Sequence, residues 1–230
     1  VSGRRNIVIN GAMNVAQRAT SATGVGSASG YFTLDRMQIL AAATAGRATM
    51  TQTADGPSGF ANCLKLDCTT ADTSIAAGEY IVINYRIEGQ DLQQIKKGTS
   101  DAESITISFY VKGNANATYM FEVSDTDNSR VNQNQFAVTT DWNRIEITIA
   151  PDTTGAFTDD NGLSMELKFW LHSGSTFNSG TYTANTWASQ THANRAVGIS
   201  SFFDSTDRTF FITGLQMEVG SVATPFEHRS

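Results

Sequence analysis

A two-residue alternation of apolar and polar side chains recurs along this chain and constrains it more than any other feature. Ile81, Ile83, Tyr85 and Ile87 form one face of YIVINYRIE, and Ile105, Ile107, Phe109 and Val111 do the same in SITISFYVK. Tyr119, Phe121 and Val123 follow, then Ile145, Ile147 and Ile149 in NRIEITIA. The longest run is LSMELKFWL, with Leu163, Met165, Leu167, Phe169 and Leu171. A strand places successive side chains on opposite faces, so each run predicts a strand with one buried and one largely wet face. That pattern belongs to antiparallel sheets, because strands of parallel sheets read as continuous apolar runs.

The connections agree. KGNANAT, SDTDNSRVNQNQ, PDTTGAFTDDNG and SGSTFNSGT are rich in Gly, Asn, Asp, Ser and Thr. Glycine supplies positive φ, and the short polar side chains hydrogen-bond to nearby backbone, so these stretches turn the chain. Only QDLQQIKK has a helical pattern, and it is one or two turns long. Many strands with such connections predict an all-β jelly-roll sandwich of two antiparallel sheets. There is no repeat of fixed period and no Pro/Ser linker, so residues 1–230 are expected as a single domain. Within it, residues 16–30 are expected as a flexible loop rich in Gly, Ser and Thr.

A chain of 230 residues buries roughly 70% of its unfolded surface and needs no covalent staples. The balance of 16 basic and 22 acidic residues, net −6, argues against nucleic acid as a partner, which requires clustered Lys and Arg. Arg4-Arg5 reads as a solvated lead-in. No run approaches the ~18 apolar residues of a membrane span, so no membrane insertion is expected. There is no signal-peptide core at the N-terminus, and the chain opens on Val1, as a trimmed piece of a longer protein would. Cys63 and Cys68 lie five apart on a strand, on opposite faces and roughly 16 Å apart, too far for a disulfide. Cys68 is expected in the core with Leu64 and Leu66, and Cys63 on the face of Lys65. The near absence of cysteine fits synthesis in a cytoplasm.

The search for chemistry excludes more than it finds. His172, His192 and His228 have no metal-binding spacing. GVGSASG is neither preceded by a buried parallel strand nor followed by a helix, as a dinucleotide loop would be. No G-x-S-x-G elbow occurs. The carboxylates lie in turns (Asp125, Asp127, Asp152, Asp159, Asp160) or on outward strand positions (Glu146, Glu166). SDTDNS, around Asp125 to Ser129, offers alternating oxygen ligands but lacks the glycine and distal glutamate of a calcium loop, and TDDNG is a second oxygen-rich turn. Both read as solvated turns. No enzyme activity and no cofactor are expected.

Aromatic residues are the surface candidates. If Leu167 and Phe169 face the core, then Trp170 and His172 face away from it, beside Glu166 and Lys168; Tyr110 likewise faces away from Phe109 and Val111. An outward Trp can stack on a sugar ring, or it can be covered by the loop holding Tyr182 and Trp187 or by a neighbouring subunit. Trp142 precedes a strand and is expected to pack at the sandwich edge. Phe202-Phe203 and Phe210-Phe211 are adjacent pairs, and in a strand one member of each points away from the core, towards a subunit interface or a covering loop.

The order of segments, NIVINGAMNVAQR, GEYIVINYRIEGQDL, SITISFYVKGN, DWNRIEITI, LSMELKFWL and FFITGLQMEVGSVATPFEHR, resembles the jelly-roll domain of tailed-bacteriophage fibre and other virion proteins. That domain is itself similar to jelly-roll carbohydrate-binding modules. The most specific pieces are N-x-x-I-N-G-A-M (Asn6, Ile9 to Met13), G-Y-F-T-L-D-R (Gly30 to Arg36) and the terminal G-L-Q-M-E-V-G-x-x-A-T-P-F-E. The resemblance implies a non-enzymatic virion structural protein on the tail or capsid surface, made in the bacterial cytoplasm. It implies a tail fibre or receptor-binding module that contacts host surface polysaccharide. A capsid-decorating or head-fibre protein and a free carbohydrate-binding module are the alternatives. Other virion proteins are the implied partners, with homotrimer assembly. The glycan-facing residues are expected to be Trp170, Tyr110 and His172, with Trp187 as a loop partner. The related modules hold a structural calcium with acidic residues after the first strand's N-G and within the last strand. Met13-Asn14 and Thr213-Gly214 stand there instead, which argues against that ion. Glu227 to Ser230 form a charged exit with no partner evident in sequence, and the exit is expected to lead into a further segment.

Overall fold

The structure, a computed structural model, describes residues 5–228. Arg4, half of the expected solvated lead-in, and the final residues Arg229 and Ser230 lie outside the described residues.

Among the described residues twelve strands form a jelly-roll β-sandwich. The first sheet contains β1 (Ser21–Val25), β3 (Arg47–Thr53), β4 (Cys63–Thr70), β12 (Thr209–Val219), β6 (Ile105–Gly113) and β9 (Asn143–Ile149), in the order β1-β3-β4-β12-β6-β9. The second contains β11 (Ala188–Ser189), β8 (Arg130–Val138), β7 (Ala117–Asp125), β10 (Leu163–Ser173), β5 (Tyr80–Glu88) and β2 (Gln38–Ala42), in the order β11-β8-β7-β10-β5-β2. Every strand pairing in both sheets is antiparallel. Helix α1 (Ser175–Asn178) is one turn long, and QDLQQIKK forms two short 3-10 turns, Gly89–Asp91 and Gln93–Ile95.

The inward faces are those that the alternation marks. Ile81, Ile83 and Tyr85 meet Ile107, Phe109, Phe121, Leu167 and Phe169 in one core. At its centre Phe109 stands edge-on to Phe169 and Phe136, with ring centroids 5.0 and 5.3 Å apart. Such edge-to-face contacts suit the ring quadrupoles and add to the burial energy. Cys68 belongs to this core and Cys63 is buried on the opposite face; both thiols are free, and burial pushes each up to about 11.

Several local expectations need correction. Residues 16–30, read as one flexible loop, contain edge strand β1, which pairs with β3 and turns Val25 into the core. The segment after Asn6 is not a regular strand. It touches β12 through isolated bonds, Ile7 N–H to the Met217 carbonyl and Leu215 N–H to the Gly11 carbonyl, while left-handed Asn10 and Met13 break the ladder. Phe202 and Phe203 lie outside any strand and both are buried in the core. Only Phe211 follows the outward rule. It lies on the outer face of the first sheet beneath Lys65, Lys112 and Trp142, which is half-buried beside the start of β9.

The charged exit also has partners. Residues 221–228 fold back over the first sheet. Thr224 N–H donates to Glu218, Glu227 N–H to Gln216, and the Glu227 carboxylate accepts from the amides of Arg5 and Asn6, 2.8 Å from each. Among the described residues no helix is long and apolar enough to cross a membrane.

Candidate functional site

The strand register determines where the sequence candidates stand. Trp170 and His172 point away from the main core, as their alternation requires, but neither reaches solvent: they are 3% and 0% exposed. The segment between β10 and β12 crosses the outer face of the second sheet and covers them. Phe177 and Tyr80 pack on the Trp170 ring, with centroids 5.3 and 5.8 Å away, and the Arg195 guanidinium lies 4.9 Å over it. A buried ion pair between Arg195 and Glu122, with Gln133 also donating to Glu122, fastens this cover to β7. The glycan-facing expectation for Trp170 is therefore corrected to a packing role within this chain, because an indole so covered has no face to offer. His172 sits at the sheet end with Ser201, Asp72 and Glu79, equally enclosed.

Trp187 is half-buried. Its indole N–H donates to the Ala150 carbonyl at 2.9 Å, and Lys97 lies 5.3 Å from its ring. Tyr110 is on the other sheet, half-exposed, in an aromatic group with Phe60, Phe226 and His228. Gly214 makes that packing possible. It lies at the register shift of β12 with φ +64°, and a Cβ there would stand 2.8–2.9 Å from the Phe60 and Tyr110 rings. The four predicted residues are thus not brought together.

An open cleft lies elsewhere, against the Glu88 end of β5. Its volume is about 770 Å³, and its lining includes Gln17, Arg18, Tyr31, Asp35, Arg36 and Arg86. Glu88 and Asn161 complete its polar rim. The chain builds it through Asn10, whose left-handed backbone (φ 61°) turns the side chain back into the fold. The Asn10 amide donates to the carbonyls of Val15 and Asp35 at 2.9 and 3.0 Å and accepts from Val15 N–H at 2.9 Å. Asp35 then accepts from Gln17 N–H through its carboxylate and donates its own N–H to the Val15 carbonyl, both at 3.0 Å. This clamp sets Arg18 over the Tyr31 ring, 5.6 Å from its centroid.

The lining suits recognition more than bond breaking. A tyrosine ring offers a flat apolar face, guanidinium groups offer forked donors, and side-chain amides both donate and accept. Both carboxylates are engaged by their own loops, Asp35 by Gln17 and Glu88 by the side-chain amide of Gln90 at 2.7 Å. The cleft residues were legible in part, since Tyr31, Asp35 and Arg36 belong to the GYFTLDR stretch that stands out in the sequence. Nothing local places that stretch beside Arg86.

No family model matches the chain, and no curated protein matches it. Solved structures do match in fold. One is a CBM4 structure, with TM-score 0.44 and 10% identity over 91% of this chain and 97% of that one. Another is the CBM22-1 xylan-binding domain of Paenibacillus barcinonensis Xyn10C, with TM-score 0.42 and 12% identity over 96% and 100%. The enzymatically active domain of bacteriophage CBA120 tailspike protein 4 matches with TM-score 0.46 and 12% identity over 95% of this chain but 22% of that chain. At such identities the likeness is one of fold.

Proposed function

We propose that this jelly roll is a non-enzymatic glycan-binding module of a tailed-phage virion, carried in a tail fibre or receptor-binding appendage, with its sugar site in the Tyr31 cleft. The observation that carries the binding reading is the shelf formed by Tyr31 and Arg18 inside an open polar cleft. Its volume is within the roughly 300–1,000 Å³ of small-ligand sites. Three arginines against Asp35 and Glu88 make the lining locally cationic in a chain of net charge −6. The ligand class that fits is an acidic polysaccharide, its carboxylates meeting the guanidinium forks and a sugar face meeting Tyr31. The virion assignment rests on the order of sequence segments, and its partners are other virion proteins.

The test measures binding of the purified chain to acidic and neutral polysaccharides, with solution mass recorded alongside. Wild type should bind acidic chains and weaken as salt rises. Tyr31→Ala and Arg86→Ala should each lose about tenfold in affinity, some 1.4 kcal/mol, without loss of fold. Unchanged binding by both variants would remove the cleft from consideration, and release of reducing sugar would overturn the non-enzymatic reading. Binding that fails to compete with phage adsorption would favour a free carbohydrate-binding module over a virion protein.

A further inference from the structure

At the Tyr80 end of the second sheet, three side chains distant in sequence converge. Asp72 and Glu79 are each 5% exposed and His172 is fully buried. One ligand atom from each lies within 4.8 Å of the others. Their scaffold is well determined. Asp72 Oδ2 accepts from the Thr44 hydroxyl at 2.8 Å and from Ala45 N–H at 2.9 Å. Glu79 is pinned by its backbone, its N–H donating to Ala76 and its carbonyl accepting from Gly174. His172 Nδ1 lies 2.8 Å from Ser201 Oγ, which also accepts from Phe203 N–H.

Two polar atoms remain unsatisfied: His172 Nε2 and Glu79 Oε2. They stand 3.5 Å apart. Buried polar atoms seldom go unpaired, and an unpaired one calls for an explanation. The charge poses the same question. Among the described residues no Lys or Arg forms an ion pair with Asp72 or Glu79. With both carboxyls ionised and the imidazole neutral, the group carries two negative charges away from water, which is costly unless they are neutralised.

We propose that Asp72, Glu79 and His172 form a structural site for a divalent transition-metal ion of the zinc type. A dication cancels both carboxylate charges and supplies the missing partner to both unsatisfied atoms. One imidazole with two carboxylates suits zinc, whereas calcium and magnesium favour all-oxygen shells. Ser201 is placed to accept the Nδ1 proton, which leaves the Nε2 lone pair directed at the carboxylates, as a metal-binding histidine requires. These residues are not those at the calcium position of related modules. The ion would tie the segment holding Asp72 and Glu79 to the end of β10, close to the region where the outer cover begins.

The experiment uses the full chain without a histidine tag, stripped with chelator and titrated with Zn²⁺ and with Co²⁺. One equivalent should bind. At a hundredfold excess over Kd the thermal midpoint should rise by about 5–10 °C, and Co²⁺ should give the visible absorption of a low-coordinate imidazole–carboxylate site. Glu79→Gln and His172→Gln should each weaken binding beyond the ~100-fold that outer partners can account for, and Ser201→Ala by about tenfold. His192→Gln and His228→Gln should change nothing. If His172→Gln fails to fold, Glu79→Gln decides, since it keeps the shape and removes only the charge. Absence of stoichiometric binding by the folded wild type overturns the site. So does binding that survives Glu79→Gln, or an NMR titration of metal-free protein showing His172 protonated at neutral pH in an ion pair with Glu79.

Discussion

The two ends of the second sheet bury charge in opposite ways. At the Glu88 end, Lys97 Nζ lies 2.6 Å from Asp125 and 3.1 Å from Asp152, and Arg130 forks onto Asp152. Lys97 also donates to the carbonyls of Thr154 and Gly155. Two cations face two anions, and the cluster closes on itself. At the Tyr80 end, Asp72 and Glu79 meet His172 and, among the described residues, form no ion pair with a Lys or Arg. One end therefore carries its counter-charges in the sequence, while the other requires protons or an ion from outside. The same distinction accounts for SDTDNS, whose first carboxylate is engaged by Lys97 and by both nitrogens of Asn128.

The largest effect should come from breaking the closed end. Lys97→Met leaves Asp125 with no cation and Asp152 with Arg130 alone, and losing one partner of a buried ion pair costs about 3–5 kcal/mol. In a chain of this size that is a fall of about 6–20 °C in thermal midpoint; a fall under 2 °C, ~0.5 kcal/mol, would mean that the cluster relaxes or hydrates. Acid gives a graded version of the same experiment. Burial works to raise Asp152, but the bonds from Arg130 and Lys97 outweigh it and hold it below its ordinary 3.8. A carboxyl lowered by folding stabilises the fold fully above its unfolded value and loses that contribution as pH falls through the folded value. The contribution of Asp152 to the midpoint, read against Asp152→Asn, should therefore stay level to about pH 5 and drop below about pH 4, with Glu166, also held low, adding to the drop. A flat profile down to pH 3 would contradict this.

At the open end the sign should differ. In chelator-treated protein, Glu79→Gln removes one of two uncompensated charges and should cost no more than about 1 kcal/mol, or stabilise; a loss comparable to that of Lys97→Met would erase the contrast between the ends. The smallest effect is expected beside Lys97 itself. Lys96 and Glu103 form an exposed pair 3.6 Å apart, so Glu103→Gln should shift stability by no more than about 0.5 kcal/mol in urea unfolding.

Much of the fold was legible because strand alternation is local. The inward faces of β5, β6, β7 and β10 follow directly from the positions of Ile, Phe, Val and Leu. Direction was legible too, since Trp170 does point away from the core. Its cover was not. The stretch that buries it, SGSTFNSGTYTANTW, is polar and aperiodic, and its Phe177 and Tyr182, with Arg195 further along the chain, act through contacts that no spacing encodes. The Tyr31 cleft was half visible: its loop residues stand in a recognisable run, but Arg86 joins them only through sheet register. The Asp72, Glu79 and His172 group was invisible for the same reason, its histidine coming from a strand whose end is aligned with Tyr80 only by the pairing of β10 with β5.

The clasp between Glu227 and the amides of Arg5 and Asn6 has a mechanical consequence. It brings the incoming and outgoing chain to one point on the sandwich. Pulled apart at Arg5 and Glu227, the chain would load these hydrogen bonds first, and the two sheets would feel the force only after they part.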